Sequence, residues 1–352
     1  MYQRLLSPIA LESHLAGFEF TPDHALLIPM LTASDLLRLP YTPDLTEGGI
    51  AFALRSLTHS FDRAGSSPYD RLRRLAAHAA VELAFRRYLS QQNIPFEVKA
   101  AAPFTDHERY DVALSGRRCD IKSYLISHHR QIEDMRRNPA VLLNAEALVP
   151  SDQHAGDGHS PNDLYLFAFL CGLLAASQAD LKRIVATNQP HYLVHAMPKV
   201  WRQPLHWNPL GSLTLKSESE QELLIEISGQ DQDRELKRCA ISLPPKTRVV
   251  VPESFYSLTS LHIRRLTDAR VGIHCEAIKE AHIISPMEWG NIWIYGMEIF
   301  LAGYLSHEEF SQRANPLLPN SRVFQYQRIR VKNLGLPISS LKPMRSLHTL
   351  AP

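Results

Sequence analysis

From Tyr69 to about Gln91 apolar residues recur at helical spacing. Leu72, Leu75, Ala79, Leu83 and Phe85 outline one buried side, and Ser67-Pro68 supplies a cap followed by a proline at the helix start. The period then changes. Phe96 to Ala100 reads as a strand, and Val112 with Leu114, then Cys119, Ile121 and Tyr124, read as two strands either side of Ser115-Gly116, a two-residue hairpin signal. His128 opens a helix expected to run to about Leu148. Leu164 to Cys171 is a continuous apolar run of the kind buried between helices, ending at Gly172. A helix over Gln178 to Ala186 and a strand over Tyr192 to Ala196 complete this set.

Beyond Met197 the texture becomes short alternating strands: Glu222 to Ser228, Leu236 to Leu243, Arg248 to Val251, Val271 to His274, Ile292 to Leu305 and Val323 to Val331. Turn signals at Gly229 to Asp233 and Pro244-Pro245 separate them, which predicts a β-rich sandwich or open barrel. The expected organisation is an N-terminal extension over 1–66, an α/β core over 67–196, a β-rich domain over 197–340 and a frayed tail over 341–352. The extension carries apolar clusters at Leu26 to Leu31 and Ile50 to Leu57 and reads as a packing element, with Thr46 and Glu47 opening a short helix.

A net charge of +2 over 352 residues excludes a polybasic nucleic-acid coat, so any binding surface must be a local patch. Cys119, Cys171, Cys239 and Cys275 form no Cys-x-x-Cys pair, which argues against a zinc ribbon or disulfide scaffold and fits a reducing cytosol. The start lacks a basic-then-apolar leader, and the longest apolar run, Leu164 to Ala176, is too short to span a bilayer. The expectation is a cytoplasmic protein that does not engage a membrane.

The chemistry concentrates in Tyr110 to Tyr124, YDVALSGRRCDIKSY. With Ser115 and Gly116 as the loop, Leu114 faces Arg117, Ala113 faces Arg118, Val112 faces Cys119 and Asp111 faces Asp120. Like charges directly opposite each other destabilise a hairpin, and a bound divalent cation removes the conflict. Lys122 shares a face with Asp120 because side chains alternate along a strand. Magnesium is usually held by one or two carboxylates plus substrate phosphate, and Asp111 and Asp120 suit that role. A lysine beside the metal can orient the attacking water or stabilise charge on a phosphoryl oxygen, which points to metal-assisted phosphodiester hydrolysis.

These residues resemble the PD-(D/E)XK, or restriction-endonuclease-like, nucleases: Asp111, a spacer across a hairpin, then Asp120, Ile121 and Lys122, with Tyr110 where the family name has proline. The resemblance covers roughly residues 69–195. It implies an α/β fold with a restriction-endonuclease-like mixed sheet flanked by helices, here followed by a second β-rich domain. It further implies a Mg2+ cofactor for which Mn2+ can substitute, and DNA as substrate. Glu82, on the buried side of the preceding helix, would add a ligand or position water, and the Ile121 carbonyl would also ligate. From the residues alone Glu82 has two open readings, a salt bridge to a core arginine or contact with metal or water. Such nucleases often act as homodimers or with companion subunits in restriction or anti-phage defence, and the alternative is a non-catalytic nucleic-acid-binding or assembly subunit with a degenerate nuclease fold.

Other features are weaker. Glu97-Val98-Lys99 and Glu235-Leu236-Lys237 repeat the acidic-x-Lys pattern without a partner strand at the right distance. Arg71, Arg73, Arg74, Arg86 and Arg87 read as a mostly outward, solvated face that could also follow a phosphate backbone. His128-His129-Arg130-Gln131, with Arg136 and Arg137, reads as a helix start in water, and SDQHAGDGHSPN (Ser151 to Asn162) reads as a solvated loop despite Asp152, His154, Asp157 and His159. Trp289, Trp293, Tyr295 and Tyr304 read as core, near Arg328, Arg330 and Lys332. The chain has no phosphate loop, no Gly-x-Ser-x-Gly elbow and no His-Glu-x-x-His helix.

Overall fold

The computed structural model describes residues 31–57, 67–98, 112–156, 158–175 and 177–350. Strand β1 (Leu37–Leu39) leads into helix α1 (Pro43–Ser56) and helix α2 (Pro68–Gln91). Ser67 caps α2 by accepting a hydrogen bond from the Asp70 amide at 3.1 Å. Helices α1 and α2 approach closely at Gly49, where a Cβ would lie 2.3 Å from the Ala76 carbonyl oxygen, so glycine is required there.

Strands β2 (Val112–Leu114) and β3 (Arg117–Ile126) form the hairpin, with Ser115 and Gly116 at φ 50° and 74°. Positive φ at both central residues matches the right-handed twist of the flanking strands. The pairs are Val112 with Cys119, Ala113 with Arg118 and Leu114 with Arg117. Helix α3 (His129–Arg137) stops at Asn138-Pro139, since proline disfavours helix in the residue before it. A 3-10 turn and strand β4 (Glu146–Pro150) follow, in place of the continuous helix expected to Leu148. Next come α4 (Ser151–Gly156), β5 (Leu164–Leu173), α5 (Gln178–Ala186), β6 (Leu193–Ala196) and α6 (Lys199–Arg202).

The β-rich stretch holds β7 (Leu213–Ser217), β8 (Leu223–Gln230), β9 (Leu236–Leu243), β10 (Arg248–Val250), β11 (Ser257–Ile263), β12 (Val271–Cys275), β13 (Ile278–Ile284) and β14 (Gly290–Asn291). The chain then forms β15 (Tyr295–Ser306), α7 (His307–Arg313), β16 (Asn315–Leu317) and β17 (Asn333–Pro337). Residues 323–331, expected as a strand, contribute only a bridge between Val323 and Tyr326.

The result is a mixed α/β architecture. Its central sheet has the order β1-β15-β5-β3-β2, with β3 and β5 parallel and the other pairings antiparallel. Glu97 bridges Ala113 on the β2 side. One face, with Cys119, Ile121, Leu164 and Leu166, packs on α1 and α2. The other, with Tyr124, Tyr165, Phe167 and Phe169, packs on α3, α7 and the small sheet β16-β17-β4. The Tyr124 hydroxyl ties these layers, donating to the Leu148 carbonyl at 2.8 Å and accepting from its amide at 2.6 Å.

Two expected boundaries therefore move. Strand β15, read by sequence as part of the β-rich domain, lies between β1 and β5 in the central sheet, while β6, read as core, belongs to the sheet β14-β6-β11-β8-β9. That sheet faces β10-β7-β12-β13 across a third buried cluster containing Trp201 and Trp289. The segment after Leu341 is also anchored, with Met344 and Leu347 buried in the first cluster.

Histidines join the two sheets of the β-rich part. His195 Nε2 on β6 lies 2.9 Å from His282 Nε2 on β13, a bond that needs one donor and one acceptor imidazole. Burial pushes both below the ordinary imidazole value, and also lowers His262, which bonds the Leu193 carbonyl. Depressed folded values mean that the unfolded chain takes up protons first as pH falls. The stabilisation is complete above about pH 6.5 and is lost as pH drops through the folded values. The urea midpoint is expected to fall from about pH 7.5 to about pH 5, with a shallower slope in His282→Gln; equal slopes would rule the pair out as the origin.

Candidate active site

Residues Asp120 and Lys122 point to the same face of β3, away from α2, while Cys119 and Ile121 between and beside them fill the core on the α2 side. Lys122 Nζ lies 2.6 Å from Asp120 Oδ2, and the two side chains are only 13% and 16% exposed. The ammonium also donates to Gln153 Oε1 of α4 at 3.1 Å and stands 5.6 Å above the Tyr165 ring. An acidic oxygen, an amide oxygen and a ring face thus hold one lysine in one place.

His159 completes the cluster. Its ring is 1% exposed, with Nε2 3.8 Å from Asp120 Oδ2 and Nδ1 3.6 Å from Asp163 Oδ2. Asp163, itself buried, accepts the Ser160 amide at 2.7 Å and the Arg118 amide at 3.0 Å, and so staples the segment before β5 to the start of β3. Behind it, His154 contacts the Tyr165 hydroxyl at 3.1 Å, shares a hydrogen bond with Ser311 Oγ at 3.0 Å and stacks on His307 at 4.4 Å. Burial, then the nearby His307, His159 and Lys122, push His154 below the ordinary imidazole value. The stretch expected as a solvated loop is therefore a short helix and a largely exposed segment from which the His159 ring turns inward.

The candidate ligands separate. Asp120 and Lys122 are brought together, whereas Asp111 lies outside the described residues, as does Asp157. Glu82 projects from α2, the helix that packs on the opposite face of the sheet: His78 one turn earlier bonds Ser123 Oγ at 3.0 Å, and Glu82 is paired with Arg86. The ion pair with Arg86 is one contact of Glu82 among the described residues. Ile121 lies between the site residues with its side chain buried on the α2 side. Among the described residues no group of three histidine, cysteine or carboxylate side chains could hold a metal.

Of the two other acidic-x-Lys stretches, the first has its Lys99 outside the described residues. Glu97 forms an isolated bridge, and Lys237 pairs with Glu253 at 2.6 Å. By sequence His154 and His159 read as part of a solvated loop, and Asp163 and Gln153 do not stand out, because the contacts of Gln153 with Lys122 and of His159 with Asp120 bridge 31 to 39 residues of chain. A signal existed in Asp163, a carboxylate immediately before an apolar strand run, next to the position where a parallel partner strand must begin.

The chain matches no family model, no curated protein and no solved structure.

Proposed function

We propose that the protein is a magnesium-dependent nuclease of restriction-endonuclease-like fold that hydrolyses DNA phosphodiester bonds, in restriction or anti-phage defence. The observation that carries this reading is the Asp120–Lys122 pair, 2.6 Å apart on one face of a hairpin strand whose register is the one the motif requires. The succession α2, the Glu97 bridge, β2, β3, α3 and, after the intervening β4 and α4, a parallel β5 also supports it.

The donor chemistry fits a hard divalent ion: an oxygen ligand beside a lysine, with no thiolate near, where such ions take one or two carboxylates and substrate phosphate. Asp120, together with Asp111, would hold Mg2+ or Mn2+, which supplies charge neutralisation and an acidified water. Lys122, fixed by Asp120 and Gln153, donates hydrogen bonds to a non-bridging phosphate oxygen as its charge rises. His159 and Asp163 hold the Asp120 side of the pocket in position. Glu82, ion-paired with Arg86 on α2, would act by positioning water if it takes part in the reaction.

A second reading, a nucleic-acid-binding subunit without activity, is favoured by one observation: Lys122 already neutralises Asp120 without a cation. Supercoiled plasmid incubated with Mg2+, with Mn2+ or with EDTA separates the two. Nicking with either metal and none with EDTA is expected; an inert protein that also fails to bind Mn2+ would remove the nuclease reading.

A further inference from the structure

A cleft of about 810 Å³ lies along β3 just beyond Lys122, with α2 on one side and the start of α3 and the 323–327 loop on the other. Its floor is Ser123, Leu125, Ile126 and Ser127, beyond the residues 117–119 that pair with β2 among the described residues. Two cations stand on facing walls. Arg74 comes from α2 and Arg130 from α3, both exposed, and neither makes an ion pair among the described residues. Elsewhere on the same helices Arg87 and Arg136 are held by Asp44 and Glu298. The carboxylate in the cleft, Asp70, is engaged by Arg73 at 3.4 Å.

The third wall is rigid and aromatic. Gln131 Nε2 donates to the Phe324 carbonyl at 2.7 Å, Gln325 Nε2 donates to the Glu146 carbonyl at 2.6 Å, and Val323 and Tyr326 bond each other through the backbone. Tyr326 remains 36% exposed, its ring set edge-on to Tyr124 at 6.2 Å. Ser123, the residue after Lys122, lines the cleft from the α2-facing side of β3, so the cleft begins beside Lys122 along the strand. At about 3.3 Å per residue, Lys122 to Ser127 spans about 16 Å.

We infer that this cleft holds the sugar–phosphate backbone of a polynucleotide strand, with Arg74 and Arg130 on phosphates and Tyr326 against a base; the identity of the polyanion rests on the nuclease reading. Cations on both walls with an aromatic face between them suit a strand that carries charge along its edge and a π-face on each base. A cleft of this size is far larger than an inorganic ion requires.

The test is fluorescence anisotropy of fluorescein-labelled single-stranded and duplex DNA, and RNA of the same sequence, with the full chain in EDTA. Arg74→Ala/Arg130→Ala is expected to weaken binding roughly tenfold or more and to lower the slope of log affinity against log salt by about 1.5, with the double lysine variant restoring most of both. Tyr326→Ala is expected to weaken single-strand binding by about tenfold at an unchanged salt slope. Failure of the parent to bind any of the probes, or unchanged affinity and salt slope in the double alanine variant, would overturn the inference. The probe bound most tightly identifies which polynucleotide the cleft takes. Because binding is read without metal, intact binding in a protein that never cleaves would sink the nuclease reading and leave the cleft standing.

Discussion

Asp120→Asn is expected to reduce metal-dependent plasmid cleavage by about a thousandfold, and Lys122→Ala by about a hundredfold or more. The two losses have different origins. Asparagine keeps the shape of the side chain but removes the charge that would hold a cation, so Mn2+ affinity should fall with the rate. Alanine at 122 removes the donor aimed at the phosphate while leaving Asp120 in place, so Mn2+ affinity should hold or rise as the rate falls. Both changes break a largely buried pair, at a stability cost on the order of 2 kcal/mol. Denaturation curves must therefore accompany the rates. A protein that stays folded in either variant and cuts at the parental rate would show that the hairpin is not the reacting centre.

Arg73→Met is expected to destabilise the fold by about 3 kcal/mol or more, read as a lower urea midpoint with an unchanged slope. Arg73 is one of the run that reads by sequence as mostly outward, yet its side chain is 11% exposed. The guanidinium donates from Nε and Nη2 to the Asn291 carbonyl at 3.1 and 2.8 Å and from Nη2 to the Ala175 carbonyl at 2.9 Å. It thereby joins α2 to the end of β5 and to β14, coupling the central sheet to the β-rich part. Burial pulls it below the ordinary guanidinium value, with Asp70 opposing, but it remains charged. Methionine fills the volume and leaves two buried carbonyls without their donor. A change below about 1 kcal/mol would mean that water replaces the guanidinium without cost.

Parts of this architecture were legible because their causes are local. The cap at Ser67, the periodic apolar side of α2 and the Ser115-Gly116 turn each depend on residues within a few positions of one another; the turn sets the cross-strand register, and strand alternation puts Asp120 and Lys122 on one face. Other features failed for an equally physical reason. Helical periodicity placed Glu82 on the buried side of α2, but a buried side does not reveal which face of the sheet it meets. A Gly-rich stretch of polar residues reads as solvated until a parallel strand brings His159 between two carboxylates.

By itself the sequence determined α2 and its cap, the hairpin and its register, the apolar strand β5, and the short spacing that makes Asp120 and Lys122 neighbours, since each follows from backbone geometry and turn chemistry over a few residues. Only the tertiary structure decided that β15 inserts between β1 and β5, that β6 leaves the central sheet, and that Gln153, His159 and Asp163 close around the lysine. Those outcomes are long-range pairings. They are selected by burying whole faces of sheets at once, a quantity that no short stretch of residues contains.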